Sequence, residues 1–382
     1  MRIEPFVMER WQSTWEHQVS YNLSESGVHP LTIRELLEMP GGSGGLDPGR
    51  LLDIRLGYAQ GNGREDLRRR IALLYPDAGP DNVLVTHGGA EANFLTTLRL
   101  IEEGDEVVMM LPNYMQTHGL VRGWGARVRP WHLKPGDRWD PDMEELEAAV
   151  NEKTRLIILT NPNNPTGRVF DAEVLDRVAE IAEGVGAWIL SDEIYRGAEL
   201  DRGETPSMWG RTDRLVVTSG LSKAYGLPGL RIGWAASPDP EMISELWSYH
   251  DYSSICPSPA TEALAAFAME PERRENILER TRDVLRTNLP LLLEWVGSQE
   301  GLFEYIRPEA GAILWVRYAL EVGSGELAER VRSEQDTLIV PGDQFGMDRY
   351  LRLGYGPPHD YLMEGLARLK HVMETYRGPV GD

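Results

Sequence analysis

Lys223 stands in the turn Ser219-Gly220-Leu221-Ser222-Lys223-Ala224-Tyr225-Gly226, between two apolar runs at 214–218 and 232–236. A lysine lodged there is badly placed for a solvated surface cation. Desolvation disfavours the ammonium form, and a neutral amine can attack a carbonyl carbon. Arg231 follows in Gly229-Leu230-Arg231-Ile232-Gly233 and adds a fixed charge suited to phosphate. A Schiff-base lysine beside a phosphate site points to pyridoxal 5'-phosphate (PLP).

Four more segments carry candidate chemistry. In Thr86-His87-Gly88-Gly89-Ala90-Glu91-Ala92-Asn93, small residues let backbone amides approach an anion at a helix N-terminus, or simply make a tight turn. Asn161-Pro162-Asn163-Asn164-Pro165-Thr166-Gly167 specifies a rigid turn with amide side chains at a strand end. Ser191-Asp192-Glu193-Ile194-Tyr195 puts an aspartate at the edge of a buried strand, which is costly unless it is paired. A protonated pyridine nitrogen is a suitable partner for Asp192 and would make the ring an electron sink. Tyr195 would then reach the ring's phenolic oxygen; an ordinary helix N-cap is the plainer alternative. Arg352, inside Tyr350-Leu351-Arg352-Leu353-Gly354, wants a bidentate anion, either a ligand carboxylate or a structural salt bridge.

The elements that must position these residues alternate. Strand patterns at 83–86, 106–111, 126–131, 155–160, 187–191, 215–218 and 232–236 are interleaved with helical patterns at 64–74, 91–102, 114–123, 142–150 and 171–184. Such alternation predicts an α/β fold, a largely parallel sheet covered on both faces, with ligands at the carboxyl ends of the strands. Helices are expected at 6–17, at 31–39 with Thr32 and Glu35 as a capping box, at 240–249, and as one long element at 259–296. Short strands at 312–318, 337–340 and 350–353, with helices at 325–334 and 358–376, read as a smaller α+β domain. The expected division is an N-terminal segment 1–48 packing on the small domain, a large cofactor domain 49–290 and a small domain 291–382. The glycine-rich run 41–45 reads as a hinge or loop.

The chain has 382 residues and a net charge of −21. That charge repels nucleic acid and anionic lipid, so neither is an expected partner. Cys256 is the single cysteine, which rules out an intrachain disulfide and makes a reducing cytoplasm the default location. No apolar run is long enough to span a membrane, the N-terminus lacks a signal peptide's apolar core, and no metal-ligand pattern stands out.

Three motifs in this order, Asn161–Gly167, Ser191–Tyr195 and Ser222–Gly233, with Arg352 downstream, resemble the class I/II aminotransferases among the fold type I PLP enzymes. The resemblance spans roughly residues 20–375. It implies that Lys223 holds the cofactor, Asp192 pairs with its pyridine nitrogen, and Asn164 and Tyr195 bond the phenolic oxygen. It further implies that Gly89, Ala90, Ser222 and Arg231 hold the phosphate, that Tyr114 stacks on the ring, and that Arg352 clamps the substrate carboxylate. Asn164 joins Arg352 on the substrate side. Tyr58 resembles the tyrosine such enzymes lend to a neighbouring subunit, implying a homodimer with shared active sites. One departure is Gly220, where many relatives carry a hydroxyl; Ser219 is the expected substitute.

The implied activity is PLP-dependent transamination between an α-amino acid and an oxo acid. The stretch Ser24-Glu25-Ser26-Gly27-Val28-His29, with Ser219-Gly220, is similar to the capreomycidine synthase-like branch. That branch cyclises a hydroxylated arginine, so elimination or cyclisation is the alternative, with Gly27 and His29 as candidate substrate contacts. The stretch before Cys256 contains Asp251 and no arginine, which favours a neutral or basic substrate side chain. A regulatory sensor of this fold would append a basic DNA-binding module, against which the acidic charge argues.

Overall fold

The structure, a computed structural model, describes residues 3–42 and 48–376; Ser43, Gly44 and Gly45 of the expected hinge lie outside the described residues. Seven strands make the central sheet. Across it they run Val83–Thr86, Gly233–Ala236, Leu215–Gly220, Trp188–Asp192, Thr154–Thr160, Glu106–Leu111 and Arg127–His132. Gly233–Ala236 is antiparallel to both neighbours. The remaining pairings are parallel.

A parallel sheet must be covered on both faces, and strand alternation divides its side chains accordingly. Val107, Leu156, Leu190 and Val216 enter one core, and Val108, Ile157, Ile189 and Val217 enter the other. All eight are buried, each worth about 1.5–3 kcal/mol of transfer free energy. Because the parallel strands point one way, their carboxyl ends gather the loops that begin at His87, Pro112, Asn161, Glu193 and Leu221.

A second, antiparallel sheet runs Val340–Pro341, Tyr350–Gly354, Ile313–Tyr318 and Phe303–Tyr305. The expected strand 337–340 is two strands serving different sheets: Thr337–Leu338 pairs in parallel with Tyr21–Asn22, while Val340–Pro341 joins Tyr350–Gly354. The N-terminal segment is thereby tied to the C-terminal part. Its helix Val7–Trp15 is fastened by the Trp11 indole, which donates to the Ile339 carbonyl at 2.9 Å. The Thr32–Glu35 capping box is present at the start of helix Ile33–Glu38.

The long helix expected at 259–296 is two helices, Pro259–Ala268 and Pro271–Gly297. Glu270 takes an extended conformation because the following proline ring disfavours the helical one, and Pro271 then opens the second helix. That second helix continues past residue 290. Among the described residues no helix is long and apolar enough to cross a membrane.

Candidate active site

At the carboxyl ends of the central strands lies a cavity of about 260 Å³. Gly89, Ala90, Tyr114, Asn164, Asp192, Tyr195, Ser222, Lys223, Arg231 and Arg352 all line it. Gly89 and Arg231, 142 positions apart, face one space because parallel strands deliver their loops to one edge, and Arg352 joins them from the second, antiparallel sheet.

One end of the cavity is built for an anion. Helix Gly89–Leu100 begins there, so its first amides are free of intrahelical partners. Gly88, its N-cap, sits at φ 81°, in the left-handed region. A side chain on Gly88 would strike the Arg231 guanidinium, and one on Gly233 would strike the backbone of Gly88 and Gly89. Arg231 donates to the Ser222 hydroxyl at 3.4 Å and to the His87 carbonyl at 3.3 Å. Behind this turn, the Glu91 carboxylate accepts from the His87 backbone N–H at 2.7 Å. Burial alone would raise Glu91; hydrogen bonds from His250, His87 and Ser254 hold it well below the ordinary carboxylate range.

Asp192 faces the cavity from the end of its strand. Burial pushes its carboxyl up, against hydrogen bonds from the Asn93 amide at 3.0 Å and the Ile194 backbone N–H at 3.1 Å. Asn93 is itself fixed by the Thr218 hydroxyl, which donates to its amide oxygen at 2.6 Å. A cation arriving opposite Asp192 would remove the penalty that burial imposes on the carboxylate. Asn93 was not assigned a role from the sequence; its signal is its place one turn into the helix that follows His87-Gly88-Gly89.

Lys223 projects into the cavity, its Nζ 3.9 Å from Glu25 Oε2. Both side chains keep solvent contact, so this loose pair contributes little to stability. Gly27 packs against Lys223, where an added Cβ would lie 3.6 Å from the lysine Cα. Gly27 therefore supports the lysine rather than lining the cavity. Tyr195 is buried and donates to the Ser26 hydroxyl at 3.0 Å. The Tyr114 ring meets Phe6 edge-on at 5.0 Å, and its hydroxyl donates to Glu9 at 3.1 Å. Burial and the neighbouring Glu9 raise the Tyr114 phenol well above its ordinary value.

Arg352 is 1% exposed. It donates to Asn164 Oδ1 at 3.2 Å, the Ser24 carbonyl at 2.7 Å and Gln12 Oε1 at 3.4 Å. Its Nε has no partner, and no carboxylate bonds it among the described residues. The structural salt bridge is thus not what holds Arg352. Burial pulls the guanidinium down from its ordinary value, a cost that an arriving carboxylate would offset.

Two expected contacts are corrected. Ser219 does not line the cavity: its hydroxyl donates to the Glu193 carbonyl at 3.2 Å. Strand alternation is the reason, since Thr218 points to Asn93 and Ser219 therefore points away. A side chain at Gly220 would be crowded, with Gly233 and Ile232 backbone 3.0 Å from an added Cβ. His29 also turns away from the cavity; its Nδ1 lies 3.1 Å from the Gly356 carbonyl, and its own carbonyl accepts from Arg280 at 3.0 Å. Tyr58 lies outside the cavity, 89% exposed.

Three acidic residues on the cavity wall, Glu9, Glu16 and Glu25, escaped the sequence reading. Glu9, Gln12 and Glu16 recur at helical spacing, on the first helix and its C-cap. Burial raises Glu16, and the nearby Glu25 raises it further.

The donor set fits PLP part by part: an anion turn for the phosphate, Asp192 for the pyridinium, Tyr114 beside the ring and Lys223 for the aldehyde. The chain matches the family "Aminotransferase class I and II" over residues 53–369. It is 31% identical to capreomycidine synthase of Streptomyces vinaceus over 376 residues, 97% of this chain and 94% of that protein. A PLP-dependent aminotransferase from Streptococcus suis superposes with a TM-score of 0.91 at 32% identity, covering 98% of this chain and 99% of that one. The PLP-dependent cyclase OrfR superposes with a TM-score of 0.87 at 27% identity, covering 98% of each chain. The chain belongs to the class I and II aminotransferase family, PLP-dependent enzymes of fold type I.

Proposed function

We propose that the enzyme acts on an α-amino acid with a basic side chain, and that transamination to an oxo acid is its first reading. The observation carrying the substrate class is the acidic wall of Glu9, Glu16 and Glu25 in the cavity that also holds Arg352 and Lys223. Arg352 receives the α-carboxylate, and its unpartnered Nε and amide-held Nη groups give a planar fork. The carboxylates receive a side-chain amine or guanidine. Bound at both ends, the substrate presents its α-C–H toward Lys223, whose Nζ takes the proton as general base.

Bound PLP supplies an electron sink for the pair left on the α-carbon. Asp192 keeps the positive end of that sink opposite it, and Asn93 keeps Asp192 aimed. Tyr195 and Asn164 supply hydrogen-bonding groups at the cavity wall between Lys223 and Arg352. In transamination Lys223 alone takes and redelivers the proton.

A second reading is elimination followed by ring closure. Two observations favour it: Glu25 stands 3.9 Å from Lys223, and the similarity to capreomycidine synthase runs over 97% of the chain. Expulsion of a β-hydroxyl as water needs a proton, which Lys223 holds after taking the α-proton and which the acidic wall is also placed to deliver. Incubation with arginine, ornithine, lysine and their β-hydroxy forms, with and without 2-oxoglutarate, separates the readings. Transamination consumes the oxo acid, forms glutamate and shifts the chromophore toward its aminated form. Water loss with a cyclic product and no acceptor establishes the second reading. Turnover of neutral or acidic amino acids alone would overturn the substrate class.

The same reading makes the protein a homodimer in a reducing cytoplasm, with Tyr58 reaching the partner's phosphate site. It also assigns cofactor binding to a domain at 49–290 and substrate clamping to one at 291–382 with the segment 1–48. Its support is that Lys223 and Arg352 come from different sheets yet share the cavity.

A further inference from the structure

Behind the anion turn, and outside the cavity, His87, Glu91 and His250 bring one donor atom each within 4.8 Å of one another. Glu91 Oε2 lies 3.3 Å from His87 Nδ1 and 3.4 Å from His250 Nε2. Ligands about 2.0–2.1 Å from a tetrahedral zinc ion stand about 3.3–3.4 Å apart along a tetrahedron edge. Two of the three edges therefore already have the length that a tetrahedral site requires.

The outer contacts also have the form of a metal site. His250 is wholly buried, and its Nδ1 lies 3.1 Å from the Gly61 carbonyl. A carbonyl only accepts, so Nδ1 carries a proton; Nε2 then faces Glu91 with either a second proton, as an imidazolium, or, in the neutral ring, a lone pair that a cation can take in that proton's place. In the neutral ring that lone pair faces a carboxylate, an arrangement that is repulsive unless a proton or a metal cation lies between them. The Ser254 hydroxyl touches both, 2.8 Å from His250 Nε2 and 2.6 Å from Glu91 Oε1, yet it has one proton to donate. Glu91 is oriented by the Ser253 hydroxyl at 2.7 Å and the His87 backbone N–H at 2.7 Å. His87 and Ser254 also line a pocket with Tyr58 and Cys256.

We propose that His87 Nδ1, Glu91 Oε2 and His250 Nε2 form a site for a divalent zinc-type cation. The ion ties the turn His87–Gly89, which adjoins the anion end of the cavity, to the segment His250–Cys256. Mixed imidazole and carboxylate donors suit zinc, whereas the oxygen-preferring magnesium and calcium are disfavoured.

The test uses the PLP-loaded protein, treated with chelator and dialysed, then titrated with zinc chloride by calorimetry and checked by elemental analysis. One equivalent per chain is expected, with a rise in melting temperature on saturation. His250→Asn and Glu91→Gln should each weaken binding at least about 100-fold, and Ser254→Ala about 10-fold. His87→Ala, at the more exposed ligand, guards against loss of fold and should give the same loss as His250→Asn with an unchanged circular dichroism spectrum. Absence of stoichiometric zinc in the wild type overturns the site, as does equal zinc binding by all four variants. Retained cofactor absorbance in the zinc-free protein keeps this outcome separate from the PLP reading.

Discussion

The two ends of the cavity are built in opposite ways. The anion end comes from short contiguous stretches, His87–Ala90, Ser222-Lys223 and Arg231, and much of its binding capacity is backbone amide at a helix start. The substrate end is assembled from side chains far apart in the chain: Arg352 meets Ser24 across 328 positions and Asn164 across 188. A turn can be specified by its own residues. A side-chain clamp exists only after two sheets and an N-terminal helix have docked. The anion end should therefore tolerate changes at the substrate end, and the converse should not hold.

The largest effect is expected at the lysine between the two ends. Lys223→Ala should lower turnover at least about 10⁴-fold while cofactor still binds at the anion end. Borohydride reduction followed by peptide mapping should label Lys223 in the wild type; wild-type rates in the variant would remove this residue from the chemistry. Next, Arg352→Lys keeps the charge but loses the planar fork. It should reduce kcat/KM about 100-fold with cofactor affinity unchanged, and a parallel loss of cofactor would contradict the separation of the two ends.

At the acidic wall, Glu16→Gln and Glu25→Gln should each raise KM for a guanidino substrate about 10-fold and leave KM for a neutral amino acid unaltered. Equal effects on both substrate types would sink the assignment. Asp192 gives a pH test on cofactor-free protein. Burial raises its pKa in the folded state, so its contribution to stability is fully present when it is protonated and is lost as pH rises above the ordinary aspartate value. Cofactor-free Asp192→Asn should thus melt on the order of 1–2 °C higher than wild type near neutral pH, the gap closing as pH falls into the carboxylate range. Smallest of all, Ser219→Ala and His29→Phe should change cofactor affinity and kcat/KM less than about twofold, because neither side chain faces the cavity.

The corrected residues show where sequence reasoning stops. Ser219 adjoins Gly220, and nearness in sequence suggested a substitute hydroxyl; the alternation of side chains along the strand sends it to the opposite face. His29 shares a loop with Ser26, yet Ser26 meets Tyr195 while His29 meets Gly356. Pro271 could have divided the long helix in advance, since the residue before a proline resists the helical conformation. Glu9, Gln12 and Glu16 carried the right spacing, but a helix face becomes a cavity wall only when the helix has been placed.

Period-two and helical patterning, turn-forming residues and the order of motifs suffice to determine the α/β sheet and the cofactor, and they single out Lys223 as the candidate to hold it. Those features are local: each depends on backbone preferences and on neighbours a few residues away. Tertiary structure alone decided that Arg352 is buried without a carboxylate, that three glutamates share its cavity, and that His250 stands against Glu91. Each of these is a balance of burial and charge between distant segments, and that balance does not exist until the chain has closed on itself.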